Sequence, residues 1–261
     1  MILKIWKEKN LIWKLAKNDF KTKYAGSYLG VIWGFIQPIV TVLVYWIVFE
    51  YGLRVGTPIP DVPYILWFIA GMVPWLFFAE ALTNSTNSLL EYNYLVKKVV
   101  FNVSILPIVK IISALFVHLV FIIFTCIIYL LYNRIFSIHY LELVYYLIAM
   151  NVLVIGISYF TSALQVFVKD LSQFINILLQ IFMWATPILW DYNIVSEKYL
   201  WIIKLNPMFY IVQGYRISFL GTSSLENGLI QTIYFWTVTI LMLLVGIKSF
   251  KRLQPHFADI I

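Results

Sequence analysis

Few residues in this chain have the chemistry to act on a substrate, and their spacing argues against catalysis. The three histidines, His118, His139 and His256, are far apart, with no His-Glu-x-x-His metal motif and no Gly-x-Ser-x-Gly nucleophile turn. His118, on an otherwise apolar run, reads as a hydrogen-bonded packing residue before a ligand. Cys126, the single cysteine, reads as an inert buried thiol. Glu80 is the main ionisable group inside an apolar run, near its inner end, where a solvated or capping role fits as well as a functional one. Paired carboxylates or a nucleophile-and-base set facing a cavity, which an intramembrane enzyme needs, do not occur. There is no Gly-Lys dipeptide and hence no P-loop for ATP. A proton- or sodium-coupled carrier would need ionisable groups at mid-membrane and often an inverted repeat, whereas the third to sixth apolar runs hold almost no carboxylates in their middles and the halves show no repeat. The energy source must sit on a partner subunit.

The elements that would position these residues follow from composition. Of 261 residues, 62% are apolar and only 12% charged, which excludes a water-soluble domain, a disordered chain and a nucleic-acid-binding domain. One cysteine excludes a disulfide-stapled module. A membrane-spanning helix needs roughly 20 apolar residues, and six runs qualify: Leu29–Phe49, Tyr64–Leu82, Leu106–Leu131, Leu141–Val168, Phe174–Leu189 and Leu229–Gly246. The expected fold is an all-α membrane protein, a single domain over residues 1–261. No small-residue cleavage site follows the first run, so it reads as an uncleaved span. Of the 19 Lys and Arg residues, only Arg54, Arg134, Lys198, Lys204 and Arg216 fall outside when both termini are placed in the cytoplasm. That asymmetry fixes the orientation by the positive-inside rule.

Three segments stand apart from the spans. Within residues 1–25 the pattern Ile5-Trp6-Lys7, Ile12-Trp13-Lys14, Asp19-Phe20-Lys21 repeats every seven residues. It places Trp6, Trp13 and Phe20 on one helical face beside a lysine stripe, an interfacial helix that serves either as a plain anchor or in substrate gating. Gly26, Gly30 and Gly34 follow at four-residue spacing, a small-residue ridge for intramolecular packing or a dimer seam, and Pro38 should kink the first span. Residues 83–105 begin with the polar run Thr83–Ser88. There Asn87 or Ser88 is expected to cap a short amphipathic helix carrying Leu90, Tyr94 and Lys97 or Lys98, either a docking element or a solvated connector. Residues 190–227 are too apolar for a solvated loop but are broken at Asn206-Pro207, Gly214 and Gly221. They read as re-entrant outer half-helices or as helices lying flat in the interface.

Taken in order, several short motifs resemble the permease subunits of type-2 ABC exporters of lipid-linked polysaccharides, the O-antigen, capsular polysaccharide and wall teichoic acid family. They are Asp19-Phe20-Lys21-Thr22-Lys23-Tyr24, Ser27, Leu29-Gly30, Trp33 and Pro38; Leu95-Val96-Lys97-Lys98-Val99 and Ile105-Leu106-Pro107; Pro187; and Leu205-Asn206-Pro207 with Tyr215-Arg216. One departure is Phe101-Asn102, where many members of that family carry Phe-Pro. The resemblance implies a homodimer bound to two copies of a separate ABC ATPase, which holds the ATP and Mg, with no cofactor in this chain. Leu90, Glu91, Tyr94, Leu95, Lys97 and Lys98 would then form the coupling element seated in the ATPase. The implied cargo is a glycan on undecaprenyl pyrophosphate. Lys21 and Lys23 are placed to attract its pyrophosphate or, equally, to act as topogenic flanks. Trp33, Trp184 and Trp190 are expected to line the channel, and Asn206, Pro207, Tyr215 and Arg216 to form an outer gate. The rivals are a type-2 permease for a small lipid or drug and an intramembrane lipid-linked sugar enzyme.

Overall fold

A computed structural model describes residues 6–98, 101–133, 140–221 and 228–261. Among them every regular element is helical. In chain order they are α1 (Lys9–Thr22), α2 (Trp33–Trp46), α3 (Tyr64–Glu91), α4 (Asn93–Val96), α5 (Leu106–Leu131), α6 (Tyr140–Gln165), α7 (Leu171–Ala185), α8 (Glu197–Lys204), α9 (Pro207–Leu220), α10 (Leu229–Leu253) and α11 (Phe257–Ile260).

Five stretches are long and apolar enough to cross a membrane: Gly30–Gly52, Tyr64–Glu91, Val103–Leu131, Leu141–Gln165 and Leu229–Ile260. The run expected from Phe174 to Leu189 is shorter. α7 has 15 residues, about 22 Å at 1.5 Å per residue, against roughly 30 Å of hydrocarbon. It stops because Thr186 takes an extended backbone (ψ 130°), which the following Pro187 favours by crowding the residue before it. The chain then continues non-helically, and Tyr64, the first residue of α3, donates its hydroxyl to the Leu189 carbonyl at 2.8 Å.

α3 is the hub. Its 28 residues make a rod of about 42 Å, so it outruns the hydrocarbon core by about 12 Å. The expected polar loop at Thr83–Ser88 is therefore helix, and Asn87 and Ser88 are not caps. Their side chains donate back to the carbonyls of Thr83 (3.1 Å) and Ser85 (2.7 Å). Inside that run Ser85 meets Ser158 at 2.6 Å and Thr86 meets Thr161 at 2.8 Å. This polar seam pins α3 to α6, because buried hydroxyls must find partners.

Close helix approach occurs elsewhere than expected. Gly26 and Gly30 have φ of 86° and 54°, in the left-handed region that glycine tolerates. The Gly26–Gly30–Gly34 spacing therefore forms a turn between α1 and α2, not a ridge. The tight contact lies between α6 and α10, where a Cβ on Gly246 would stand 2.2 Å from the Gly156 carbonyl oxygen. α2 runs on through Pro38 and is scarcely covered, with 11% of its apolar window buried.

α1 lies against the start of α5. Ile12, Ala16 and Asp19, spaced by four and three, form its buried stripe over Ile105 and Val109. Trp13 and Phe20 set their rings edge-on to Phe116 at 5.2 and 5.7 Å, and Trp6 is exposed. In a separate cluster Phe257 of the last helix packs with Val96 of α4 and with Val103.

Candidate functional site

The cluster that joins these elements is electrostatic. Lys110, one turn into α5 and 8% exposed, places Nζ 2.6 Å from Asp19 Oδ1 on α1 and 2.5 Å from Glu91 Oε2 at the end of α3. Tyr92 donates its hydroxyl to the same Asp19 oxygen at 2.7 Å. Burial, then that bond, pushes the Tyr92 phenol above its ordinary range. A buried ammonium shared by two carboxylates is satisfied only while all three helices keep their places. The cluster thus makes α1, the α3–α4 corner and α5 one mechanical unit.

Asn102 completes the joint. Its Oδ1 accepts from the Ser104 backbone N–H at 3.3 Å, capping the turn that leads into α5, and its amide donates to Glu8 on the N-terminal side of α1 at 3.2 Å. Asn102 thus gives the turn before α5 a side-chain cap.

The residues expected to engage an ATPase divide at this corner. Tyr94, Lys97 and Lys98 are exposed, Leu90 and Leu95 are half-buried, and Val96 is buried. Glu91 is half-exposed but turned toward Lys110. α4 is a single helical turn after a break at Tyr92, shorter than the amphipathic helix the spacing suggested.

The two expected pyrophosphate lysines differ. Lys21 is exposed, whereas Lys23 is ion-paired with Glu80 of α3. Burial works against the Lys23 charge, but the adjacent Glu80 carboxylate more than offsets it and holds the ammonium above its ordinary pKa. Tyr24 beside it lies over Gly34, where a Cβ would come within 2.6 Å of the phenol oxygen.

The four residues expected as an outer gate do not form one cluster. Asn206 caps α9, accepting from Met208 N–H at 3.0 Å and donating to Thr186 Oγ1 at 2.6 Å, with Pro207 in the first turn. Tyr215 and Arg216 lie nine and ten residues further along, about 14 Å up the helix, and both are fully buried. Arg216 donates to the carbonyls of Trp67 (3.3 Å), Pro187 (2.8 Å) and Ile188 (2.9 Å), and its guanidinium stands 3.5 Å from the Trp67 ring centroid. Gly71 leaves it room, since a Cβ there would stand 2.8 Å from Nη2. The arginine fastens the extended segment after α7 to α3. Tyr215 and His118 share a 2.9 Å hydrogen bond, which agrees with the packing role expected for His118.

Of the expected channel aromatics, Trp33 and Trp184 are exposed and Trp190 is half-buried, donating to the Trp184 carbonyl at 3.0 Å. Arg134 and His139 fall outside the described residues, as do residues 222–227 of the outer segment.

Among the described residues the chain is an all-helical bundle with no paired carboxylates aimed into a cavity. The profile of the ABC-2 type transporter family matches residues 10–220, and the chain belongs to that family: it is an ABC-2 permease subunit, not an enzyme. Two Klebsiella pneumoniae proteins named O-antigen export system permease protein RfbA are each 28% identical to it, over 254 and 257 residues, covering 97% of this chain and 95% of theirs. A Myxococcus xanthus protein of the same name is 22% identical over 221 residues, 84% of each chain.

Proposed function

We propose that this chain is the membrane half of an ATP-driven exporter that carries an undecaprenyl-pyrophosphate-linked polysaccharide of the O-antigen kind, or a teichoic acid, across the cytoplasmic membrane. The observation that carries this reading is similarity, nearly end to end, to proteins named as O-antigen export permeases. A permease for a small lipid or drug would not call for that likeness.

In this account two copies of the chain pair with two ATPase subunits. The exposed apolar stripe Phe174, Ile177, Ile181 and Trp184 on α7 and the thinly covered α2 are surfaces that a second copy can take up. Both termini face the cytoplasm. Six crossings are favoured because α7 and the extended segment after it together reach the level of Tyr64, and residues 190–227 then form re-entrant helices on the outer side. α1 lies at the cytoplasmic interface. The corner with Leu90, Glu91, Tyr94, Leu95, Lys97 and Lys98 meets the ATPase, and the Asp19–Lys110–Glu91 joint carries its movement to α1 and to Lys21 and Lys23, where the pyrophosphate arrives. Trp33, Trp184 and Trp190 offer flat faces to sugar rings along the path. Asn206, Pro207, Tyr215 and Arg216 set the outer closure by holding α9 and the α7 extension in place. The differential fit of the corner to two ATPase states is what lets ATP bias the path.

Deleting the gene tests the reading. Surface polymer should vanish while polymer-loaded undecaprenyl pyrophosphate accumulates inside. Normal surface polymer in the deletion strain would refute it.

A further inference from the structure

The Lys23–Glu80 pair has a feature that a simple cationic landing site lacks: the lysine arrives already neutralised. Both side chains are partly open, 38% and 25% exposed, so the pair can be approached from solvent. The turn beside it is open as well. A Cβ on Gly26 or Gly30 would meet nothing within 4 Å, and Tyr28 is fully exposed. On its other side Glu80 borders a narrow apolar cleft with Pro38, Val73, Leu76 and Phe77. Among the described residues no second cation pairs with Glu80, so any anion that takes Lys23 leaves this carboxylate unpaired.

We infer that Glu80 is a selectivity residue: it competes for Lys23, so that singly charged lipid headgroups are rejected and only a more highly charged anion, a lipid-linked diphosphate, displaces it. This inference rests on the export reading above and adds a rule for the same site. A bare lysine facing a bacterial membrane would be occupied by the anionic lipids around it. Specificity then requires an element that penalises the wrong ligand as well as one that attracts the right one. A phosphodiester headgroup brings one charge, no more than the carboxylate it must replace. A diphosphate brings more, and Coulomb attraction grows in proportion. Lys21, exposed two residues earlier, adds a cation without an ion-pair partner among the described residues, so the gain for a multiply charged head is larger still.

The test uses the complete permease–ATPase complex in vesicles, with geranylgeranyl pyrophosphate as probe and the half-stimulating concentration for ATP hydrolysis as readout. In phosphatidylcholine vesicles Glu80→Gln should lower that concentration about two- to fivefold, the span expected for losing one partly exposed ion-pair partner. Lys23→Gln should raise it, and the double variant should match Lys23→Gln. With about one third phosphatidylglycerol in the vesicles, a typical anionic share, the wild type should be little changed and Glu80→Gln should lose its advantage. Glu80→Asp, which keeps the charge, should fall between and covers the case in which Glu80→Gln fails to fold. An effect of Glu80→Gln that persists without Lys23, or one insensitive to phosphatidylglycerol, overturns the inference. So does an absence of stimulation in both wild type and Glu80→Gln, because a freed Lys23 would then capture nothing. The export reading is decided separately by the gene deletion.

Discussion

Asp19 and Lys110, 91 residues apart in sequence, hold each other at 2.6 Å beneath the α3–α4 corner, and this contact ties the N-terminal helix to the bundle. Lys110→Met should cost about 3 kcal/mol, because removing one partner leaves a buried charge uncompensated. Asp19→Leu combined with Lys110→Met should recover most of that loss. Denaturant unfolding in mixed micelles checks both. A double variant no better than Lys110→Met would show that the pair is not the source of the loss.

Tyr94 is the exposed aromatic of the corner. Truncating it to Ala should weaken ATPase binding about tenfold, the loss typical of a central aromatic anchor, while the melting temperature of the permease alone stays unchanged. Leu95→Asp should also uncouple the subunits, but with a loss of stability, because Leu95 packs partly against the buried cluster around Val96 and Phe257. Binding by biolayer interferometry separates the two. Unaltered affinity in Tyr94→Ala would remove the corner from the interface.

Gly246→Ala should destabilise the bundle by about 2 kcal/mol, since the new methyl meets the Gly156 carbonyl and α6 and α10 must move apart. Gly228→Ala, whose Cβ would meet nothing within 4 Å, serves as the control. Thermal unfolding in detergent reads the difference.

Arg216→Lys should be nearly as damaging as Arg216→Met. An ammonium cannot reach three carbonyls in the planar fan that a guanidinium spans, nor stack on Trp67 in the same way. A loss of about 3 kcal/mol is expected for either, together with faster hydrogen exchange around Thr186–Leu189. Full rescue by lysine would reduce the interaction to simple charge.

How much of this was legible in the sequence depends on how local each signal is. The apolar runs are local, so the helices were readable, and Asn206-Pro207 marked the start of α9 as written, but the fifth run was carried through Pro187 to Leu189 although the helix ends at Ala185. The failures share a cause. Thr83–Ser88 looked like a loop because its hydroxyls have no visible partner in the chain, and their partners, Ser158 and Thr161, lie 73 to 75 residues away. Gly26–Gly30–Gly34 had ridge spacing, but the backbone turns there. Gly156 and Gly246, which do pack closely, are 90 residues apart and carry no motif. Lys110 counted as one more inner cation. A lone charge within Leu106–Leu115, matched by a lone acid in the lysine-rich α1, was the available signal for a buried pair. Similarly, Lys23 and Glu80 were each noticed, and only the fold brings them together.

The central claim is that this permease works only as part of a complex with a separate ATPase, joined through the α3–α4 corner. Native mass spectrometry of the chain co-expressed with its ABC ATPase partner, after mild detergent extraction, tests that most directly. The account predicts a complex of two permeases and two ATPases, with a larger share of permease dimer and free ATPase in Tyr94→Ala. A permease that retains no ATPase under any extraction condition would contradict it.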